Sequence, residues 1–362
     1  MKYLLIATRS KEIMNFRKSF IEHLVNKGHS VSVITFDDER KEDIENLNTK
    51  VFVVKQDNRG LNPFSILKFR KQVKKIVNEV KPEVVLTYQL KPNTLAVGVS
   101  KKAGAKVYSM VEGLGDVYIK KGLKWKLVRA VVNFLYKSSF KKAEKVFFLN
   151  NDDKKEFIDR KLIKKEKCVV INGIGVDLNH FEQKPLKNHN QVLMVARMLK
   201  SKGVLEYCEC ARRVKNVIPS AIFNYLGGEG DITLKDIKEY IDDGSINYLG
   251  VVKDVRPYLE DCSVFVLPTF YREGLPMSIM EAESVGRAII TTNSVGAKET
   301  VENGFNGFLV QTKNVSELTE KVLYLLENKE QLEIMGKNSR TFAEQNFDKE
   351  KINKQVYEIV SK

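Results

Sequence analysis

Short β-branched runs alternate with amphipathic stretches along nearly the whole chain, and that alternation restricts the fold more than any other feature. "YLLIAT" (3–8) precedes "NFRKSFIEHLVNKG" (15–28), which precedes "SVSVITF" (30–36). "VFVV" (51–54), "VVLTY" (84–88), "KVYSMV" (106–111) and "KVFFLN" (145–150) continue the series. A second series runs "QVLMVAR" (191–197), "SAIFNYLG" (220–227), "INYLG" (246–250), "SVFVLP" (263–268), "AIITT" (288–292) and "GFLV" (307–310). Strands separated by helices of this length form parallel βαβ units. The expected fold class is therefore α/β, with two Rossmann-like, doubly wound domains facing across a cleft. Residues 171–190, polar, glycine-containing and without periodicity, separate the two series. The expected boundaries are 1–172, a linker at 173–189, 190–345, and a last amphipathic helix at 346–362 returning to the first domain. In such sheets ligands sit beyond the carboxyl ends of the strands, so the loops after strands carry the chemistry.

Charge divides the chain in the same place. Of a net charge of +15, residues 1–200 hold 41 Lys+Arg against 21 Asp+Glu, whereas residues 201–362 hold 20 against 25. A basic half joined to a mildly acidic one implies two domains with different partners. The apolar run after Met1 is too short for a signal peptide, and "AVVNFLY" (130–136) is too short to cross a bilayer. A cytosolic chain with four reduced cysteines is expected. Cys208-x-Cys210 lacks a second ligand pair and reads as helix packing rather than a metal site.

The stretch "REGLPMSIMEAESVG" (272–286) follows the strand "SVFVLP". Pro276 suits the first turn of a helix ending at Gly286. The free amides at 274–277 make an anion site that Gly274 lets a ligand approach. Glu273, outside the helix, can accept hydrogen bonds from hydroxyls, and Glu281, farther in, can accept two from a vicinal diol. An isolated pair of glutamates at this spacing is ordinarily solvated charge. Its context is "ARMLKSKG" (196–203), where Arg197 and Lys202 follow a strand and can clamp a diphosphate, although two such cations alone are ordinary surface residues. "YLGGEG" (225–230) adds a glycine-rich strand-to-helix turn. A polyol, a diphosphate and a ribose in series describe a nucleotide sugar.

From Arg197 through Gly307 the chain resembles the donor half of the retaining glycosyltransferases of family 4, which have the two-domain GT-B fold. The residues carrying the resemblance are Arg197 and Lys202, "YLGVVKDV", "FVLPTFYREGLPMSIMEAESVGRAIITTNSVGAKETVENGFNGFLV" and the linker "VINGIGVDLNHF". The resemblance implies catalytic roles for Glu273, Arg197 and Lys202. It implies a donor site of Arg197, Lys202, Gly228, Val251, Val252, Glu273, Gly274, Leu275, Pro276 and Glu281. Glu273 would contact the donor sugar and Glu281 the ribose, while backbone at 250–252 would cradle the base. No D-x-D sequence occurs, so no cofactor and no metal are expected, and cations with a helix terminus would stabilise the leaving group.

"NPFSILKF" (62–69), "KPNTLAVGVSKKAG" (91–104), "VEGLGDVYI" (111–119) and "NFLYKSSFKKAEKVFFLN" (133–150) are similar to enzymes adding N-acetylhexosamines to undecaprenyl-diphosphate-linked sugars. That implies a UDP-N-acetylhexosamine donor, GalNAc-type favoured, and a polyprenyl-diphosphate-linked acceptor in surface-glycan or glycoprotein assembly. Ser10, Asn15, Lys91, Asn93, Glu112 and Gly113 are the acceptor-side candidates. Glu112 is either a general base or an ordinary hydrogen-bonded loop carboxylate. Many members carry a glycine-rich loop after the first strand; here "TRSKEIMNF" (8–16) has no glycine, and Ser10 or Asn15 would take its place. Transfer to another lipid, a UDP-N-acetylhexosamine epimerase on the same fold and a silent sugar-binding protein are the alternatives.

Between Ile119 and Lys145 stand nine Lys/Arg and one acid, Glu144. Trp125, Val128, Val132 and Leu135 form a stripe there, as do Ile66, Phe69, Val73, Ile76 and Val80 in the preceding basic helix; each stripe reads first as core. The cations point to an anionic membrane surface and a peripheral position on the cytoplasmic face of the inner membrane. No nucleic-acid-binding motif is present.

Overall fold

The first series of runs forms one parallel sheet and the second another. The computed structural model describes residues 1–55, 63–120 and 122–362. Asn62 and Lys121, which belong to the segments named above, lie outside the described residues. β1 (Lys2–Ile6), β2 (Ser30–Thr35), β3 (Lys50–Val53), β4 (Val84–Tyr88), β5 (Lys106–Val111), β6 (Lys145–Phe148) and β7 (Cys168–Val170) lie in the order β3-β2-β1-β4-β5-β6-β7. β8 (Gln191–Val195), β9 (Ile222–Leu226), β10 (Asn247–Tyr248), β11 (Val264–Leu267), β12 (Ala288–Thr292) and β13 (Gly307–Val310) lie in the order β10-β9-β8-β11-β12-β13. Both sheets are doubly wound and Rossmann-like, as the alternation requires. β7 was not foreseen: it has three half-buried residues at the sheet edge, too few to show a period.

The strands of the first sheet are apolar on both faces because helices cover both. Leu4, Ile6, Val85, Val107 and Phe148 enter one core, and Tyr3, Leu5, Val84, Leu86 and Phe147 enter the other, the period of two expected of a strand. Each sheet reverses its strand order once, between β1 and β4 and between β8 and β11. Those reversals open the crevices where ligands bind in such folds.

The chain divides into Met1–Ile174 with Glu350–Lys362, and Gly175–Lys349. Residues 175–189, expected as linker, pack on the second unit. Ser284 Oγ donates to Phe181 O at 2.6 Å and Lys184 N to Val285 O at 3.1 Å. The outgoing and returning chain lie side by side, with Val176 N donating to Phe347 O at 2.7 Å and Lys349 N to Val176 O at 3.1 Å. The last helix, Lys349–Val360, places Ile352, Val356 and Val360 in the first unit's core beside Tyr3 and Ile21. Burial of such side chains is worth roughly 1.5–3 kcal/mol each.

Helix Leu123–Phe140 buries Val132, Tyr136 and Phe140, with Trp125, Val128 and Leu135 half-buried. The expected stripe is thus core. A different face leaves Leu123, Leu127, Val131 and Phe134 exposed. Helix Pro63–Val80 likewise buries Phe69, Val73 and Ile76. Among the described residues, no helix is long and apolar enough to cross a membrane.

Candidate functional site

At the second sheet's reversal, the loops after β8 and β11 are tied together by backbone. Phe270 N donates to Ser201 O at 2.8 Å, and Thr269 Oγ1 donates to the same oxygen at 3.2 Å. Gly203 makes the approach possible. At φ +78°, a Cβ there would stand 2.2 Å from Pro268 O, so only glycine fits. Helix Val204–Val217 starts from that residue, which leaves Lys202 beside the loop after β11.

Lys202 Nζ pairs with the Glu273 carboxylate, and both side chains are mostly shielded, 17% and 12% exposed. Two residues expected at different parts of the donor, Lys202 at the diphosphate and Glu273 at the sugar, are therefore in contact with each other. Gly296 sets the height of Glu273: at φ +86° its Cβ would fall 2.5 Å from Glu273 O. Glu273 N donates to Val295 O at 3.2 Å, which closes the same contact from the other side. Thr269, Gly203 and Gly296 were not singled out in the sequence. Their signal was a "PT" at a strand end and two glycines flanking the charged loops.

The helix after this loop runs Met277–Val285, with Pro276 as its N-cap rather than in its first turn. Extended backbone at Pro276 (ψ 114°) accounts for the one-residue difference. The amides of Met277 and Ser278 have no acceptor among the described residues. Gly274 and Pro276 are buried and Leu275 is half-buried. Glu281, in the second turn, has no hydrogen-bond or ion-pair partner among the described residues and keeps part of its surface accessible. Burial pushes its carboxyl up to about 7. Two residues further along the same helix, Glu283 is fully buried, accepts from Asn306 Nδ2 at 2.8 Å, and is raised well above the usual carboxylate range by burial. Glu283 thus serves the core, and Glu281 remains open to a ligand.

Arg197, just past β8, is exposed and makes no ion pair among the described residues. The turn at 250–252 hangs on the end of β9 through Gly227 N donating to Gly250 O at 2.9 Å. A Cβ on Gly228 would lie 3.2 Å from Val251, whose own side chain is largely exposed, while Val252 packs against the core. Among the described residues, no three His, Cys, Asp or Glu side chains gather as a metal set.

The first sheet's reversal carries a second cluster. Arg17 is buried, stacks on the Tyr88 ring at 4.4 Å and pairs with Glu112. Gln89, at the end of β4, donates through Nε2 to Glu112 at 2.6 Å and accepts from Thr8 N at 3.1 Å, bridging β1, β4 and β5. Its φ of +62° is unusual for a side chain of this size, and such conformations persist only where surroundings enforce them. Thr8 Oγ1 donates to Glu12 at 3.1 Å, and burial raises the Glu12 carboxyl. Arg17, Gln89 and Glu12 were not foreseen, because they are scattered along the sequence and each looks ordinary alone.

The other acceptor-side candidates divide. Asn93 is fully buried and spent internally, accepting from Thr87 Oγ1 at 2.7 Å and donating to Met110 O at 2.8 Å. Ser10 is also fully buried, bonded to Asp37 and to Arg40 N. Neither can meet a ligand without breaking these bonds. Lys91 is buried, Gly113 is half-buried beside Glu112, and Asn15 is exposed on helix Ser10–Asn26.

Residues 176–342 match the family of glycosyl transferases group 1, and residues 18–180 match glycosyltransferase family 4. The chain is 34% identical over 342 residues to the N,N'-diacetylbacillosaminyl-diphospho-undecaprenol alpha-1,3-N-acetylgalactosaminyltransferase of Campylobacter jejuni, covering 90% of each. It is 27% identical to the UDP-Gal:alpha-D-GlcNAc-diphosphoundecaprenol alpha-1,3-galactosyltransferase of Escherichia coli, covering 88% of this chain and 85% of that one. Among solved structures, Anabaena Alr3699/HepE in complex with UDP superposes with a TM-score of 0.84 at 19% identity, covering 100% of both chains.

Proposed function

Because this chain belongs to the GT-B glycosyltransferases of families 4 and 1, we propose that it moves an N-acetylhexosamine, GalNAc-type favoured, from UDP to an undecaprenyl-diphosphate-linked saccharide, with retention at the anomeric carbon. One observation carries the reading. At a single strand-order reversal, a shielded Lys202–Glu273 pair precedes a helix whose first two amides and Glu281 have no partner among the described residues. The amides of Met277 and Ser278 and the guanidinium of Arg197 take the diphosphate. Lys202 has three donors, so it can hold Glu273 and a phosphate oxygen together. Glu273 accepts from sugar hydroxyls, and Glu281 from the ribose diol.

In the step itself the acceptor hydroxyl oxygen bonds to C1 on the face the diphosphate leaves. The C1–O bond to the diphosphate breaks, its electron pair stays on the phosphate oxygen, and that oxygen takes the acceptor's proton. Charge building on the leaving oxygen is met by fixed cations and amides, which replaces any need for a metal. The two relatives, both alpha-1,3 transferases and one a UDP-Gal enzyme, support donor and stereochemistry, since UDP-galactose and UDP-N-acetylgalactosamine are themselves α-linked. The Arg17–Glu112–Gln89 cluster is the acceptor-side element, and the basic first unit holds the enzyme at the cytoplasmic surface of an anionic membrane.

The test is UDP release from a panel of UDP-N-acetylhexosamines, with and without polyprenyl-diphosphate-linked saccharide. Acceptor-dependent release with an α-linked product is expected. Interconversion of UDP-sugars without acceptor would replace the reading with epimerisation.

A further inference from the structure

The Arg17–Glu112–Gln89 cluster closes on itself, but the run of hydrogen bonds leading out of it ends on a carboxylate that is half used. Gln89 Oε1 accepts from Thr8 N at 3.1 Å, and Thr8 Oγ1 donates to Glu12 Oε2 at 3.1 Å. Glu12 Oε1 has no hydrogen-bond partner among the described residues, and the side chain keeps part of its surface accessible. Thr8 and Gln89 stand at the ends of β1 and β4, the strands between which the order reverses. Glu12 therefore borders the crevice itself.

Its place in helix Ser10–Asn26 makes that orientation informative. Arg9 is the N-cap, so Glu12 is the third helical residue, from which a carboxylate ordinarily reaches back to the N-cap amide. Among the described residues no bond joins Glu12 to Arg9 N; the carboxylate turns to Thr8 instead. Thr8 is held in turn by Gln89 in its unusual φ of +62°. Burial raises the Glu12 carboxyl; the Thr8 hydroxyl and Arg9 work against the rise, and Glu112 and Asp37 add to it. At neutral pH the ionised carboxylate thus costs the folded state stability. A carboxylate kept at such a cost beside a crevice is placed for a ligand rather than for the helix.

A carboxylate oxygen with open lone pairs takes O–H and N–H donors. Glu112 and Asp37, which follow the neighbouring strands β5 and β2, surround it with like charge. A diphosphate seated here would face three carboxylates, whereas a sugar presents hydroxyl or amide hydrogens. We propose that Glu12 Oε1 accepts a hydrogen bond from an O–H or N–H of the acceptor's terminal sugar, and that the acceptor's diphosphate lies away from this carboxylate. The inference rests on the reading of the acceptor as a lipid-linked saccharide. It makes Glu12 the group that selects the acceptor by its sugar, with Thr8 and Gln89 holding it in place.

Calorimetry of the full-length protein compares water-soluble, short isoprenyl diphosphates carrying N-acetylglucosamine, N-acetylgalactosamine, glucose or no sugar. Glu12→Gln should weaken the best-bound sugar probe about tenfold and leave the sugar-free diphosphate within about twofold. KM for the acceptor should rise by the same factor, while KM for the UDP-sugar stays. The urea midpoint of Glu12→Gln should hold or rise, because the amide oxygen still accepts from Thr8 and a disfavoured charge is gone. Glu22→Gln, on the same helix in an exposed pair with Lys18, should change none of these. A preference for an N-acetylated sugar over glucose that disappears in Glu12→Gln assigns the donor to the amide N–H. Equal loss for both assigns it to a ring hydroxyl. Wild-type protein that binds sugar-bearing probes no better than the sugar-free one overturns the inference. So do unchanged affinity in Glu12→Gln, equal loss for the sugar-free probe, or a lowered urea midpoint with both KM values raised. Binding as expected without transfer to any acceptor defeats the functional reading and leaves the sugar contact standing; transfer indifferent to Glu12 does the reverse.

Discussion

Both sheets are wholly parallel and reverse once, and at both reversals a carboxylate meets a cation. The first unit carries 40 Lys+Arg against 21 Asp+Glu, and the second 21 against 25. At the first reversal the cation, Arg17, is buried and stacked, and the carboxylate is its fixed partner. At the second, the Lys202–Glu273 pair shares the reversal with groups that have no partner among the described residues: Arg197, Glu281 and the amides of Met277 and Ser278. One crevice is satisfied internally except at Glu12, while the other is organised around something still to arrive. The excess positive charge of the first unit is spread over exposed side chains elsewhere, such as Lys124, Lys126, Lys137 and Lys141 of helix 123–140. The lesson is that a basic domain need not place its charge where its chemistry is.

Removing Lys202 should separate the two crevices most sharply. Lys202→Ala should lower the transfer rate by on the order of 10²–10³-fold, read as acceptor-dependent UDP release with unchanged circular dichroism. Lys101→Ala, which breaks the exposed Lys101–Glu144 pair of the first unit, should leave the rate as it is. Equal losses from both would erase the distinction. Arg17→Met strands the Glu112 carboxylate and should destabilise the first unit by about 3 kcal/mol, seen in its urea midpoint. It should also raise KM for acceptor and spare KM for donor; a donor effect of equal size would place that cluster on the wrong substrate.

Gly296→Ala should cost about 1–3 kcal/mol and also lower the rate, because its Cβ displaces Glu273. Gly304 provides the control, since it has a similar φ of +84° and nothing within 4 Å of its Cβ. Gly304→Ala should lower the melting temperature without touching the rate. The smallest effect belongs to Glu281. Its folded carboxyl, near 7, lies above its usual value of 4.5. In the ligand-free protein the folded state therefore holds the extra proton, and stability falls as pH rises through that interval, then levels off. In the proposed donor site the ribose diol is held by the ionised form, so KM for the UDP-sugar should drop severalfold as pH passes about 7. Glu281→Gln should flatten both profiles; an unchanged KM profile would remove Glu281 from the donor site.

The fold was legible because its strands are buried on both faces and so stand out as continuous β-branched runs. Only β7, short and at an edge, lacked that signal. Lys202 and Glu273 were each legible as site residues because both lie just after strands, but their pairing was not, since it depends on β8 and β11 being neighbours at the reversal. The first reversal was not legible, since Thr8, Arg17, Gln89 and Glu112 meet only through the sheet and only Glu112 had drawn notice. The amphipathic helix 123–140 misled in a different way. It carries two apolar stripes, and a single period identifies the inner one and hides the outer. Asn93 and Ser10 show the converse, polar loop residues whose bonds turn inward.

Helix Lys349–Val360 has a consequence for how the molecule is made. The second unit, continuous from Gly175 to Lys349, has all its residues as soon as it leaves the ribosome. The first unit is synthesised earlier, yet one of its cores lacks Ile352, Val356 and Val360 until the chain beyond the second unit has been made. Domains ordinarily fold in the order of their synthesis, but here the residues of the earlier one are complete only after those of the later one. Until then the nascent chain displays the apolar surface around Tyr3, Leu5 and Ile21, and a chaperone that recognises such surface has the whole synthesis of the second unit in which to hold it.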